Sequence, residues 1–397
     1  MEKKPMAAFL SQAVAKYHDL AVELSDDLAA HPELPDQEFR SSEKMVEILR
    51  GAGYEVEYPY LGWPTAFRGV LDNGEGPNVA IMVEYDALPG LGHACGHNVH
   101  GSMAILTALA LAECKDQYKG KVYVFGTPAE EERGGKIIMA DQGAFDDMSL
   151  AVMIHSGSGG VAMANMDELS LKCYLVEFTG LSAHAAGAPW DGHNALTAAR
   201  KFMDLVDARR EGFTSDIRFS GVILDGGKAP NIIPDKAVVR IEFRTNSMAK
   251  LERLDDIVKR CAQGAAMAME CEVSFTLGFD PFADMVRVPA LEQEVTDIFE
   301  AMGQAYMPVP DATGSSDVGN VSYRCPTIQP SFPICTSPWA LHTVEFAKET
   351  TRPDAHQAIA DGAVLMSNLA WRVLTDEVVR KQIYDSFEES KKNKMVL

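Results

Sequence analysis

The order of apolar segments between Pro77 and Gly126 constrains this chain more than any other feature. PNVAIMVEYDALPG and KGKVYVFGTPAEE each place a short, β-rich apolar run ahead of a polar loop. Such runs read as strands buried on both faces. Between them, residues 99–113 form an Ala- and Leu-rich stretch of helix length. Strand, loop, helix and strand in that order predict an α/β fold with a mostly parallel sheet and right-handed crossovers. Open sheets of this kind bind ligands at the carboxyl ends of their strands, where this chain carries its two polar loops.

The rest of the chain extends that plan. Residues 6–29 alternate apolar and polar positions with helical spacing, and His31-Pro-Glu-Leu-Pro35 ends the segment by proline chemistry. Residues 41–52 repeat the pattern. From Leu169 the pattern changes to a strand (LSLKCYLVEFTG), a helix over 194–210, strands over 217–224 and 237–245, a further helix and a strand in ECEVSFTLG. This βαββαβ order predicts a ferredoxin-like α+β unit inserted into the first domain, because helix and strand patterns resume from about Pro289 to Leu374. The expected domains are 1–168 with 289–397, and an inserted 169–288. The last dozen residues read as a solvated tail.

Composition narrows the partners. With 36 basic and 57 acidic residues the formal charge is −21, which disfavours nucleic acid and anionic membranes. No apolar run approaches the roughly 20 residues of a membrane span. Seven cysteines are an odd number, and the N-terminal segment lacks the apolar core of a signal peptide, so a reducing cytoplasm with free thiols is expected.

The loops carry the chemistry. HACGHNVHG, residues 93–101, sets Cys95 and His97, two good transition-metal ligands, beside a glycine that lets backbone approach closely. GTPAEEERGG and an LHT around His342 follow far along the chain. Ligands drawn from separated segments fit a catalytic metal site assembled by folding, whereas a local zinc finger repeats its Cys and His pairs. Glu130-Glu131-Glu132 follows a buried strand and precedes Gly134-Gly135, a place where a solvated turn has no need of three carboxylates. The other six cysteines read as small buried hydrophobes.

Taken in order, EYDALPGLGHACGHNVHG, GTPAEEERGGK, MIHSGS, EFTGLSAHAAGAPWDGHNALTA, APNIIP, GSSDVGNVS and LHTVEF resemble the co-catalytic metallopeptidase superfamily over nearly the whole chain. The branch is that of amidohydrolases holding hippurate, auxin-conjugate and p-aminobenzoyl-glutamate hydrolases, and EYDALPG and HAAGAPW look closest to the last of these and related dipeptidases. The resemblance implies a metallopeptidase-type catalytic domain with an inserted lid and dimerisation domain, hence a homodimer. It implies two divalent ions, manganese or zinc with cobalt or nickel as alternatives, held by Cys95, His97, Glu131, His155 and His342. Glu130 would be the general base acting on a water whose pKa the ions lower, and Asp86 would orient a ligand. His184 would polarise the scissile carbonyl, and Asn231 and Arg244 would hold the substrate carboxylate. Asp317 would line the pocket or order a loop, and Trp190 would form a hydrophobic wall or lid core.

Two departures qualify the transfer. The wider superfamily has a metal histidine where this chain has Glu84, and the branch motif commonly ends in Asp where this chain has Asn98. His100 lies close to the motif with either a site role or a packing role. The expected reaction is hydrolysis of the amide bond of a small N-acyl amino acid, dipeptide-like or aryl-amide substrate. One rival makes Cys95 a covalent nucleophile activated by His97, and a second makes the chain a non-catalytic peptide or amino-acid binder. A zinc nucleobase deaminase fails, because no HxE with PCxxC is present.

Overall fold

The structure, a computed structural model, describes residues 6–394 and divides the chain into two compact units. One comprises the chain up to Asp167 together with Met285–Asn393, and the other takes Glu168–Asp284.

The first unit is built on a six-stranded sheet in the order Glu55–Glu57, Phe67–Asp72, Lys121–Gly126, Asn78–Val83, Leu150–Val152, Thr327–Ile328. The last four strands pair in parallel, and the first two join them antiparallel. Val79 to Val83 are all buried, the consequence of lying mid-sheet with both faces covered. The crossover helix His97–Glu113 is buried from His97 to Leu111 and packs against the helices Ala8–Ala30 and Pro353–Thr375. Its sequence is apolar on every side for that reason. Each large aliphatic side chain it buries, such as Ile105 or Leu106, contributes about 1.5–3 kcal/mol relative to exposure.

Two glycines explain how this helix is seated. It begins at His97, two residues ahead of the expected Val99, because Gly96 adopts a left-handed φ of 79° and turns the loop directly into the first helical turn. At Gly101 an added Cβ would lie 2.4 Å from the Glu84 carbonyl oxygen, so only glycine lets the helix rest on the end of the central strand.

A second sheet orders Tyr306–Met307, Ala162–Met163, Ser331–Pro333 and His155–Gly157. Its strands of two or three residues are too short to leave a periodic signal in sequence. The expected C-terminal tail is helical rather than irregular as far as Lys394, because the helix Glu377–Lys394 runs into it; Phe387 is its one buried residue among those described, and Val379 and Ile383 bury the helix ahead of it at four-residue spacing. Residues 395–397 of that expectation lie outside the described residues.

The other unit is a four-stranded antiparallel sheet ordered Glu272–Leu277, Ser170–Thr179, Lys236–Thr245, Arg218–Asp225. The helices Ala195–Ala208 and Met248–Ala268 close a core of Val176, Phe178, Phe202, Val239, Phe243 and Val258. Asn194 caps the first of these helices by accepting the Thr197 N–H at 2.9 Å. The βαββαβ order is that of a ferredoxin-like sandwich. Among the described residues no helix is long and apolar enough to cross a membrane.

Candidate metal centre

The parallel strands deliver four of the five expected ligands to one place. Asn78–Val83 ends into the loop that carries Cys95 and His97, and Lys121–Gly126 ends into the loop of Glu130 and Glu131. His155 opens the short strand His155–Gly157. His342 sits in a loop with φ 61°, a left-handed conformation that a non-glycine residue adopts at a cost of order 1–3 kcal/mol and that recurs at functional sites. Its backbone N–H donates to the Ala94 carbonyl at 2.9 Å, which ties it to the Cys95 loop.

Donor atoms of Cys95, His97 and His155 lie within 4.8 Å of one another, as do those of Cys95, Glu131 and His342. His97 and His155 are each steered by the other ring nitrogen. Asp86 Oδ1 faces His97 Nδ1 at 3.0 Å, and the Ser156 carbonyl faces His155 Nδ1 at 2.9 Å. The two Nε2 atoms are thereby left toward the cluster, with His155 Nε2 at 3.4 Å from Cys95 Sγ. Asp86 also accepts the Glu131 N–H at 3.1 Å through Oδ2, so one carboxylate sets two candidate ligands.

The donor set fits a bound cation. His97 Nε2 and Glu131 Oε1 are buried without a hydrogen-bond partner. They lie 3.9 Å apart, and Glu131 Oε1 is 3.3 Å from His342 Nε2. Buried polar atoms left unmatched at this density are costly, and a shared cation between them removes the cost. Burial pushes the Cys95 thiol well above its ordinary range, against the smaller pull of His97. Burial likewise opposes ionisation of Glu131, yet His342 and His97 hold its carboxyl below the usual range.

Glu130 stands beside this set, its carboxylate oxygens grouped both with His97 and Glu131 and with Glu84 and Asp317. Burial, then the charges of Glu84, Asp317 and Glu131, raise its pKa well above that of an ordinary carboxyl. Just ahead of it Ala129, at φ 56°, donates its N–H to Glu38 Oε1 at 2.9 Å. Glu38 is fully buried, and its carboxyl is pushed up to about 7, mainly by that burial.

Several expectations change. Asp317, expected to line the pocket or order a loop, is fully buried, with both oxygens on Lys136, Oδ1 on the ammonium at 2.7 Å and Oδ2 on the backbone N–H at 2.9 Å. Glu84 is engaged by Lys136 and His100, at 2.5 and 2.9 Å. Asn98 turns to Ser25 on the first helix, 3.1 Å from its hydroxyl. His100 is a member of a buried hydrogen-bonded chain rather than loose packing. Lys136 and Glu38 escaped the sequence reading; the signal for Lys136 was a lysine opening the apolar run KIIMA directly after Gly134-Gly135.

The remaining residues lie in the inserted unit. His184 Nδ1 accepts the Gly187 N–H at 2.9 Å, which leaves Nε2 as an exposed N–H donor. The Ala185 N–H donates to the Asn231 carbonyl at 3.0 Å, so these two loops run side by side. Arg244 projects from the strand Lys236–Thr245, with Glu242 at 3.4 Å. Trp190 is 77% exposed, which removes the lid-core alternative.

Steered imidazoles, a thiol and unmatched carboxylate oxygen beside a second carboxyl of raised pKa equip a chain for metal-dependent hydrolysis of C–N bonds, and that is its class. The chain belongs to peptidase family M20/M25/M40, whose family model matches residues 80–353. It is 32% identical over 352 residues to the Xaa-Arg dipeptidase of Mus musculus, covering 84% of this chain and 80% of that protein. It is 30% identical over 285 residues to one of the subunits of the p-aminobenzoyl-glutamate hydrolase of Escherichia coli (strain K12), covering 67% of this chain and 59% of the relative. The fold is shared with an aminobenzoyl-glutamate utilization protein from Klebsiella pneumoniae, at TM-score 0.74 and 20% identity over 92% of this chain and 99% of that one. It is also shared with a dinuclear metal binding peptidase of the M20 family from Bacillus subtilis, at TM-score 0.69 and 20% identity over 91% and 99%.

Proposed function

We propose that this chain hydrolyses the amide joining a small acyl group to the nitrogen of an amino acid, as in a dipeptide, an N-acyl amino acid or p-aminobenzoyl-glutamate. The observation that carries the reading is the convergence of Cys95, His97 and His155, and of Cys95, Glu131 and the exposed His342, in two groups that share the Cys95 thiol, with Glu130 beside His97 and Glu131. The mouse and Escherichia coli relatives support the substrate class, since an Xaa-Arg dipeptide and p-aminobenzoyl-glutamate share that acyl–amino acid linkage.

Cys95, His97, Glu131, His155 and His342 would hold two divalent cations. Bound there, the cations supply Lewis acidity to the carbonyl and make water ionisable near neutral pH. The chain's own part is proton handling. Glu130, its carboxyl held at a raised pKa, takes a proton from the attacking water as its oxygen bonds the carbonyl carbon. It returns that proton to the nitrogen as the C–N bond breaks. Asp86 keeps His97 in the orientation that presents Nε2. In the inserted unit His184 Nε2–H is assigned to the developing oxyanion, and Asn231 and Arg244 to the free carboxylate, which a guanidinium grips by paired donors.

The test is amine release from dipeptides, N-acyl amino acids and p-aminobenzoyl-glutamate by protein stripped with chelator and reloaded with manganese or zinc. Turnover of one class, only after reloading, is expected. Equal turnover by stripped protein, or none on any amide with two ions bound, would overturn the reading.

We also propose a homodimer through the inserted unit. Its edge strand Arg218–Asp225 leaves one side of its backbone unpaired in the sheet, and Val222 and Leu224 on it are exposed. Exposed apolar edges invite a further chain. Sedimentation should give twice the chain mass, and a monomer at micromolar concentration would refute the dimer.

A further inference from the structure

The metal-centred reading makes no use of one buried cation. The Lys136 side chain is fully buried, and its ammonium donates to Glu84 Oε1 at 2.5 Å and Asp317 Oδ1 at 2.7 Å. Glu84 Oε2 accepts from His100 Nε2 at 2.9 Å. On the other side of that ring, Nδ1 accepts the Ser156 backbone N–H at 3.1 Å, and the Ser156 hydroxyl donates to the Gly96 carbonyl at 3.1 Å. Asp317, Lys136, Glu84, His100, Ser156 and Gly96 thus form one continuous chain, and every member is buried.

The places where this chain touches the fold are informative. Gly96 lies between Cys95 and His97, Ser156 follows His155, and Lys136 follows the turn of Glu130 and Glu131. Three segments that share no secondary structure are therefore cross-braced through one ammonium. A buried ion pair is a poor source of net stability, since well-packed apolar side chains serve as well or better. What it does supply is fixed direction, and metal ligands must hold their distances within about 0.2 Å.

We propose that Lys136 is a positioning residue of the metal centre: acting through Glu84, His100 and Ser156, its ammonium sets the Cys95–His97 loop against His155 and so governs metal retention rather than substrate binding. The proposal rests on the reading of Cys95, His97 and His155 as ligands. It also gives Glu84 a role: its carboxylate joins Lys136 to His100, and its Oε2 lies 3.5 Å from His97 Nε2. Outer partners of metal ligands typically affect affinity by about ten- to hundred-fold.

The experiment loads the full-length protein with cobalt(II), reading affinity by equilibrium dialysis and thiolate coordination by the sulfur-to-cobalt charge-transfer absorption. Lys136→Met and the charge-balanced Lys136→Met/Glu84→Gln should bind cobalt about ten- to hundred-fold more weakly, with an altered charge-transfer band and KM within about twofold of the parent. Ser156→Ala, which changes no charge, cuts the chain at its far end and should move the same readouts in the same direction even where Lys136→Met fails to fold. Parent-like affinity and absorption in the folded variants would overturn the proposal while leaving the metal reading intact. A parent that retains no cobalt would instead bring down both.

Discussion

Replacing Glu130 by Gln is expected to reduce kcat by about 10³-fold, within the 10²–10⁴ range that a positioned acid–base group supplies, while the protein still binds two ions. Gln keeps the shape of the side chain and removes its ability to take a proton. Glu131→Gln is the necessary companion, because adjacent carboxyls invite exchange of roles. Their surroundings separate them: Glu131 lies 3.3 Å from His342 and 3.9 Å from His97, whereas Glu130 is raised in pKa by burial and by carboxylate neighbours. Glu131→Gln should therefore lose metal, and Glu130→Gln should lose only turnover. Metal analysis with single-turnover kinetics on both variants decides the matter. A Glu130→Gln enzyme within a few-fold of the parent would remove it from the role, and metal loss in that variant alone would exchange the two residues.

The parts of this site legible in sequence were those encoded locally. Cys95 and His97 sit in one nine-residue motif, and the paired strands around it are continuous apolar runs whose buried state follows from their composition. His155 and His342 carried no such local signal and were reached through the order of seven resembling segments. Lys136 and Asp317, 181 residues apart, form a pair that neither periodicity nor motif spacing can express. Only folding brings a lysine at a helix start against an aspartate before another short helix. The same holds for the strands Ala162–Met163 and Tyr306–Met307, which are shorter than any periodic pattern and exist because a neighbouring strand receives them. The helical state of the last residues is masked in the sequence because lysines and glutamates dominate them, and the apolar spacing that seats the helix, Val379, Ile383 and Phe387, lies mostly ahead of them.

Cys95 separates the metal reading from its sharpest rival, and the outcome there should be nearly all-or-none. A catalytic nucleophile needs a stabilised thiolate that substrate can reach. Cys95 is only 6% exposed, and burial raises its pKa, so without a cation it rests as the neutral thiol. A cation changes the sign of that balance, because a coordinated thiol is deprotonated outright. Chelator-stripped protein is therefore expected to be inactive, to regain activity on reloading, and to alkylate at Cys95 more slowly than free cysteine near pH 8. Mass-spectrometric mapping distinguishes Cys95 from Cys114, Cys261 and Cys271, which are more exposed. Cys95→Ser should bind at least one ion far more weakly, with turnover falling accordingly. The nucleophile reading requires the opposite pattern: activity that survives chelation, and loss of all of it on rapid modification of one thiol per chain at Cys95.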